Sequence, residues 1–371
     1  MPPVRRRSES AWTWTIAHVA GIDVRIHATF LVLLLWVLVS NALGGRGLTA
    51  AATGVAFILV VFAVIVLHEL GHALAARHYG IRTRDITLLP IGGIARLERI
   101  PTVPSQELVV ALAGPAVNVV LAGLAAGLVA LFGVPWSTSL SADPSAPALT
   151  RFLWLNVFLA VFNLLPAFPM DGGRALRAML SIRLGRVRAT DVAAAVGRWA
   201  ALAFGALGVF GNPMLIFVAL FVWVGASQEA RMVHVMAALD RVRVSDVMVI
   251  DFEVMPADAT IGQAIGYALH SLQVEFPVVD AGRFLGFVSV GDLVAATSAE
   301  RLLRVRDVAR PADDQTSPEE LAEPALERLE RSESGALPVL DDGRLVGLFV
   351  PQNALRLAEL RDTTRRLAEA T

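Results

Sequence analysis

The sequence predicts a polytopic α-helical membrane protein, about six transmembrane helices with a membrane-associated β-hairpin, joined to a C-terminal α/β unit made of two repeats. Three observations carry this. Of 371 residues, 55% are hydrophobic and only 18% charged, with a mean hydropathy of +0.61, which is not the composition of a soluble globular protein. Ten acidic residues fall in the first 230 positions and the other 23 from Asp240 onward, so an apolar front is joined to a charged rear. From Asp246 the chain then reads twice at an offset of 61.

The spans come first. A bilayer crossing needs about 20 largely apolar residues, and charge-free runs at 28–45, 47–67, 108–142, 152–170 and 199–228 meet or approach that length. The last region is divided at the turn signal Gly211-Asn212-Pro213 into spans near 192–210 and 213–230, with Arg198 snorkelling near an end. Basic loops stay cytoplasmic. Arg5, Arg6 and Arg7 place the N-terminus inside. Arg77, Arg82, Arg84, Arg96 and Arg99 do the same for the connection after the second span, and Arg174, Arg177, Arg183, Arg186 and Arg188 for that after the fourth. The alternate loops hold only Arg46 and Arg151, so the tail after the sixth span is cytoplasmic as well. The 27 polar-interrupted residues before the first span do not read as a cleavable signal peptide. The expected location is the cell membrane, multi-pass, with the lipid bilayer as a partner.

Composition narrows the chemistry. All 32 basic residues are arginine and the net charge is -1, so nothing points to nucleic acid. With no cysteine there is no disulfide framework and no thiolate metal site, and any metal must be held by His, Asp or Glu.

His68-Glu69-Leu70-Gly71-His72 stands at the end of the second run. On a helix, residues four apart share a face, so both imidazoles can meet one zinc while Glu69 stands beside the water at that metal as general base. Ionisable residues inside a span are costly and are kept for a task. A catalytic zinc takes a third protein ligand. His78 has the end-to-end spacing of a longer zinc motif, but Ala75 occupies the place where that motif turns on glycine; on a continuing helix His78 lies about 9 Å beyond His72 along the axis. Asp171 is the better candidate. Pro166 and Pro169 stop the fourth span, and Gly172-Gly173 permits a tight turn that can aim a carboxylate back into the bundle. The alternative is that Asp171 caps a cytoplasmic helix.

His-Glu-x-x-His on one span, followed two spans later by Asn163-Leu164-Leu165-Pro166-Ala167-Phe168-Pro169-Met170-Asp171-Gly172-Gly173, resembles the site-2 protease family of intramembrane zinc metalloproteases. The resemblance covers nearly all of residues 20–360. It implies that His68, His72 and Asp171 bind one zinc, that Glu69 is the base, and that a transmembrane substrate, such as a membrane-anchored regulator, is cut near or within the bilayer. Gly114-Pro115-Ala116-Val117-Asn118 matches a further motif of that family, in which Asn118 supports the substrate or the oxyanion; helix–helix hydrogen bonding is the alternative for a buried amide. Residues 85–96 are too short to span as a helix and read as a hairpin around Gly92-Gly93. The family places such a hairpin beside the active site, where its edge can take up an unwound substrate by strand addition. His27 is read as an interfacial residue. The rival class is a membrane transporter or sensor, gated by the C-terminal repeats, that uses the His/Glu/Asp cluster as an ion site.

In the rear half, Asp246-Val247, Pro277, Asp280, Gly282-Arg283 and Gly286 recur as Asp307-Val308, Pro338, Asp341, Gly343-Arg344 and Gly347. Each copy reads as strand, Asp-x-Gly-Arg turn, strand and helix. This resembles a tandem pair of CBS domains, which implies a homodimer through the pair and an adenine nucleotide as regulatory ligand. Ser289 and Asp292 match the family's nucleotide-contacting stretch, while Val350 and Asn353 stand at the corresponding places of the second copy, so one adenosine site is expected. A pair that only dimerises or packs on the membrane half is the alternative. The expected domains are 1–237 for the membrane protease, 238–244 as linker, 245–303 and 304–361 for the two repeats, and 362–371 as tail.

Overall fold

The computed structural model describes residues 12–360 apart from 44–46, 91, 98–100, 102, 136–146, 297–299, 313, 330, 331, 333, 355, 358 and 359. Arg5, Arg6, Arg7, Arg46, Arg99 and the tail at 362–371 therefore lie outside the described residues. The chain divides into two compact units, Met1–Ala230 and Arg231–Thr371.

The first unit opens with two strands that the spacing of apolar residues did not reveal, β1 (Thr13–Val19) and β2 (Ile22–His27). Ala20 and Gly21 join them with φ of 53° and 83°, the paired left-handed residues of a two-residue hairpin turn. The hairpin expected at 85–96 forms as β3 (Thr83–Leu89) and β4 (Gly92–Leu97). It belongs to a larger sheet: β2 runs parallel to β3, from Asp23 opposite Asp85 to Ile26 opposite Leu88, giving the order β1-β2-β3-β4 with β1 and β4 as edges. His27 ends β2 and its Nδ1 lies 2.8 Å from Thr29 Oγ1.

Among the described residues, seven helices follow the sheet strands or interleave with them, the last running past Ala230: α1 (Ala28–Leu43), α2 (Gly47–His78), α3 (Pro104–Leu131), α4 (Ala148–Asn163), α5 (Asp171–Leu184), α6 (Arg186–Phe210) and α7 (Met214–Ala238). By length and composition α2, α3, α6 and α7 can each cross a membrane. The apolar helices α1 and α4 have 16 residues each, about 24 Å of rise against a hydrocarbon core of about 30 Å. The second helix runs past Leu67 to His78, where Gly80, at φ 74°, and a bond from Ile81 N–H to Ala76 O close it. α4 stops at Asn163, ahead of Pro166 as expected.

The packing is inverted relative to a soluble protein. Small residues fill the interior, among them Ala73, Ala76, Ala111, Ala122, Ala125 and Ala160, while Leu35, Trp36, Leu124, Phe210 and Phe217 point outward. Small residues let helix backbones approach, which is how helices associate where lipid is as apolar as leucine. The chain is a multi-pass membrane protein. One arginine does not follow the expectation for a basic loop: Arg177, on α5, is 1% exposed.

The second unit holds β5 (Met255–Pro256), α8 (Ile261–Ala268), β6 (Glu275–Asp280), β7 (Arg283–Ser289), α9 (Val290–Ala295), α10 (Val305–Val308), α11 (Ala322–Leu329), β8 (Leu337–Asp341) and β9 (Arg344–Phe349), with its sheet in the order β5-β6-β7-β9-β8. The repeat is structural, since α8 recurs 61 residues on as α11 and the β6–β7 hairpin as β8–β9. The copies also exchange their leading segments. Val305 N–H bonds to Ala259 O, and its counterpart Val244 N–H bonds to Glu320 O. Accordingly Val305 is buried with Ile261, Phe276 and Val288 of the first copy, whereas Leu239, Val242 and Val244 are buried with Leu326, Val339 and Phe349 of the second.

Candidate metal centre

α2 carries His68 and His72 one turn apart on a single face, and the irregular stretch after α4 delivers Asp171 to the first position of α5. Close backbone contacts fix that delivery: a Cβ at Gly172 would stand 2.3 Å from Leu164 O and one at Gly173 2.6 Å from Ala167 C, so neither residue can carry a side chain. Asp171 is the first residue of α5, after the cap position held by Met170, and its carboxylate faces His68 and His72 rather than serving as the helix cap.

The three side chains meet. His68 Nε2, His72 Nε2 and Asp171 Oδ2 are each 3.1 Å from the other two, and all three residues are buried. Ligand atoms of a tetrahedral zinc, at bond lengths of about 2.0–2.1 Å, lie about 3.3 Å from one another, so this triangle has the size of one zinc face. The donor chemistry agrees. His72 Nδ1 donates to Val110 O at 2.7 Å, which leaves the lone pair on Nε2 toward the cluster. His68 Nδ1 lies 2.5 Å from Asn118 Oδ1. Three lone-pair atoms converge, and a cation is the group that such a set accepts.

α3 makes room for them. At Gly114 a Cβ would fall 2.2 Å from His72 Nε2 and 2.6 Å from His68 Nε2, so the helix backs onto the imidazoles only because that residue is glycine. Gly114 was legible as part of a motif, but its physical role needed the fold. Glu69, half-buried on the adjoining face of α2, packs beneath the hairpin: a Cβ at Gly93 of β4 would stand 3.1 Å from Glu69 Cγ. Asn118, cast by the resemblance as a substrate or oxyanion contact, is hydrogen-bonded on both sides, to His68 and, through Nδ2 at 3.1 Å, to Asn156 Oδ1 on α4. His78 sits at the end of α2 with its ring centroid 5.1 Å from that of Tyr79, and is absent from the cluster of possible metal ligands found among the described residues.

In the second unit Ser289 and Asp292 cap α9 reciprocally. Ser289 Oγ accepts from Asp292 N–H at 3.1 Å, Asp292 Oδ2 accepts from Ser289 N–H at 3.0 Å, and Arg310 Nη2 lies 3.2 Å from the same Oδ2. In the second copy Asn353 instead donates to Val247 O at 3.2 Å.

Helices long enough for a bilayer, with a His-Glu-x-x-His turn facing a buried aspartate inside them, define a membrane-embedded metallopeptidase. Comparison with known proteins agrees. The model of peptidase family M50 matches residues 56–145 and 137–207, and that of the CBS domain matches residues 244–299. A zinc metalloprotease of Methanocaldococcus jannaschii is 36% identical over 74% of this chain and 77% of its own length. The Rip3 protein of Mycobacterium tuberculosis is 30% identical over 93% and 92%. A solved site-2 protease from M. jannaschii, 36% identical, covers 59% of this chain and 95% of that one with a TM-score of 0.43. The chain belongs to peptidase family M50, the site-2 protease family, and is a zinc-type metalloendopeptidase with a C-terminal CBS region. Membership sets aside the transporter alternative.

Proposed function

We propose that this chain is an intramembrane endopeptidase that hydrolyses a peptide bond of a transmembrane protein, such as a membrane-anchored regulator, with one zinc held by His68, His72 and Asp171. The observation that supports it is the buried triangle of 3.1 Å edges beside Glu69. Zinc in such a site lowers the pKa of water toward neutrality and polarises a carbonyl. Glu69 takes the proton of the attacking water and returns it to the leaving amide nitrogen as the C–N bond breaks. Asn118 spends one amide proton on Asn156 and has a second for the developing oxyanion. A helical substrate hides its peptide bonds, and the free edge of β4, which packs on Glu69, offers an unwound segment a strand to pair with. The N-terminus and the CBS region are cytoplasmic in this reading. The experiment is Glu69→Gln in the full chain: zinc content is unchanged while cleavage of a membrane-embedded reporter falls about 10²–10⁴-fold. Activity near wild type, with contaminating peptidase excluded, removes Glu69 from the mechanism.

The CBS pair regulates, in the same proposal, by binding an adenine nucleotide through Ser289 and Asp292 and by forming a homodimer. Their exposed capping geometry supports it, since hydroxyl and carboxylate flank the start of α9, and Val350 and Asn353 lack that pairing. Calorimetry of the full chain tests this: Asp292→Ala weakens ATP or AMP binding about tenfold or more, and failure of wild type to bind ATP, ADP or AMP at millimolar concentration leaves a dimerisation module.

A further inference from the structure

The zinc-facing nitrogen of His68 depends on which tautomer the ring adopts, and that choice is traceable through three side chains to a backbone carbonyl. Phe152 O can only accept, so the atom of Asn156 that lies 2.9 Å from it must be the amide nitrogen. Asn156 therefore turns its oxygen toward α3, where it accepts from Asn118 Nδ2 at 3.1 Å. Asn118 in turn must present Oδ1 to His68, and Nδ1 of that ring, 2.5 Å away, must be the protonated nitrogen. The lone pair is then on Nε2, the atom 3.1 Å from Asp171 Oδ2 and His72 Nε2. Reverse any amide in the chain and two acceptors or two donors face each other.

Both asparagines are 0% exposed, so no solvent competes to satisfy them, and an unpaired amide there is expensive. We propose that Asn156 is a positioning residue of the metal centre: it touches neither ligand nor substrate, and acts by locking the Asn118 amide so that His68 offers Nε2 to the metal. His72 needs no such relay, because Val110 O orients it directly. The asymmetry lies in what α3 presents to each ring: His72 Nδ1 reaches a main-chain carbonyl, Val110 O, while His68, one turn away on α2, meets the side chain of Asn118.

This rests on the zinc reading, and one experiment separates the two. Zinc affinity of the purified full chain in detergent is measured by chelator competition for wild type, Asn156→Leu, Asn156→Asp, Asn118→Leu and Asn118→Leu/Asn156→Leu. Absence of zinc from wild type defeats the zinc reading itself. If wild type binds one zinc, Asn156→Leu weakens it by about 10–100-fold, the range for partners that orient a ligating histidine. Asn156→Asp, which in either protonation state gives Asn118 an acceptor, stays within a few-fold of wild type. In the double variant, losing Asn156 adds nothing to the loss caused by Asn118→Leu, as residues acting in series require. Wild-type affinity in Asn156→Leu, equal losses in Asn156→Leu and Asn156→Asp, or additive losses in the double variant would each overturn the relay. Should Asn156→Leu fail to fold, Asn156→Ala replaces it in the single and double variants, with the same loss of about 10–100-fold expected and the same outcomes overturning the relay.

Discussion

Two clusters of three ionisable residues lie in the same helical bundle, and they differ in what occupies their middle. Around Arg177, Glu107 on α3 accepts from Nε at 2.8 Å and from Nη2, Glu229 on α7 accepts from Nη1, and the guanidinium lies 5.1 Å from the centre of the Phe168 ring. Carboxylates on two sides converge on a cation the chain supplies itself. Around His68, His72 and Asp171, the second nitrogen of each imidazole is committed elsewhere and three lone-pair atoms converge on a cation the chain does not supply. The first cluster is complete as built and reads as structural. The second gathers three lone-pair atoms that would take a cation from outside the chain, and that contrast supports its proposed role as the working site.

The largest expected effect tests the second cluster. His72→Ala or Asp171→Ala abolishes stoichiometric zinc binding and with it proteolysis, whereas His78→Ala leaves both nearly unchanged. Metal analysis of the purified chains checks it; zinc retained by Asp171→Ala and lost from His78→Ala would mean that the third ligand is the wrong one.

The first cluster should behave oppositely. Arg177→Met strands two carboxylates, one of them almost fully buried, and breaking a buried pair on one side costs about 3–5 kcal/mol. The triple change Glu107→Leu/Arg177→Met/Glu229→Leu removes every stranded charge and returns most of that loss. Unfolding in mixed micelles followed by helicity measures both. A triple variant no more stable than Arg177→Met would break the comparison, because the cluster would then matter for more than its own charge balance.

What the sequence disclosed of all this follows the reach of its patterns. Spacing four on a helix put His68 and His72 on one face, and prolines with paired glycines located the turn that carries Asp171; those are local signals. The partners of Arg177 lie 70 and 52 residues away on other helices, so in sequence it is one more arginine in a basic stretch. The strands at 13–27 escaped notice because β2 finds its partner in β3, some sixty residues on, and β1 leaves its apolar side chains exposed. Asn156 is one of two asparagines in the apolar helix α4, and its contact with Asn118 is what distinguishes it. In the repeats, self-similarity disclosed the duplication, but exchange of the leading segments depends on pairing between copies and leaves no trace in either one.

A third cluster, in the second unit, sharpens the role of burial. Glu320 accepts from Thr316 Oγ1 and from Arg328 Nη2, each at 2.7 Å, and from Nη1 at 2.5 Å, but both charged side chains keep more than a quarter of their surface in water. The first copy has Met255, Ala259 and Tyr267 at the corresponding positions, so this network belongs to the second copy alone. The bidentate Arg328, aided by Thr316, holds the Glu320 carboxyl below its ordinary value of 4.5. A group whose folded pKa is depressed stabilises the fold above its unfolded pKa, and that contribution disappears as pH falls through the folded value. Glu320→Gln should therefore cost about 1 kcal/mol or less at pH 7, since partly hydrated pairs are worth little, and the gap to wild type should close progressively below about pH 4.5. Hydrogen-exchange protection of α11 in the full chain, corrected for the intrinsic pH dependence of exchange, reads the difference locally. A gap as large as that for Arg177→Met, or one that widens on acidification, would show that solvent exposure does not set the scale and that Glu320 holds the second repeat by something other than its charge.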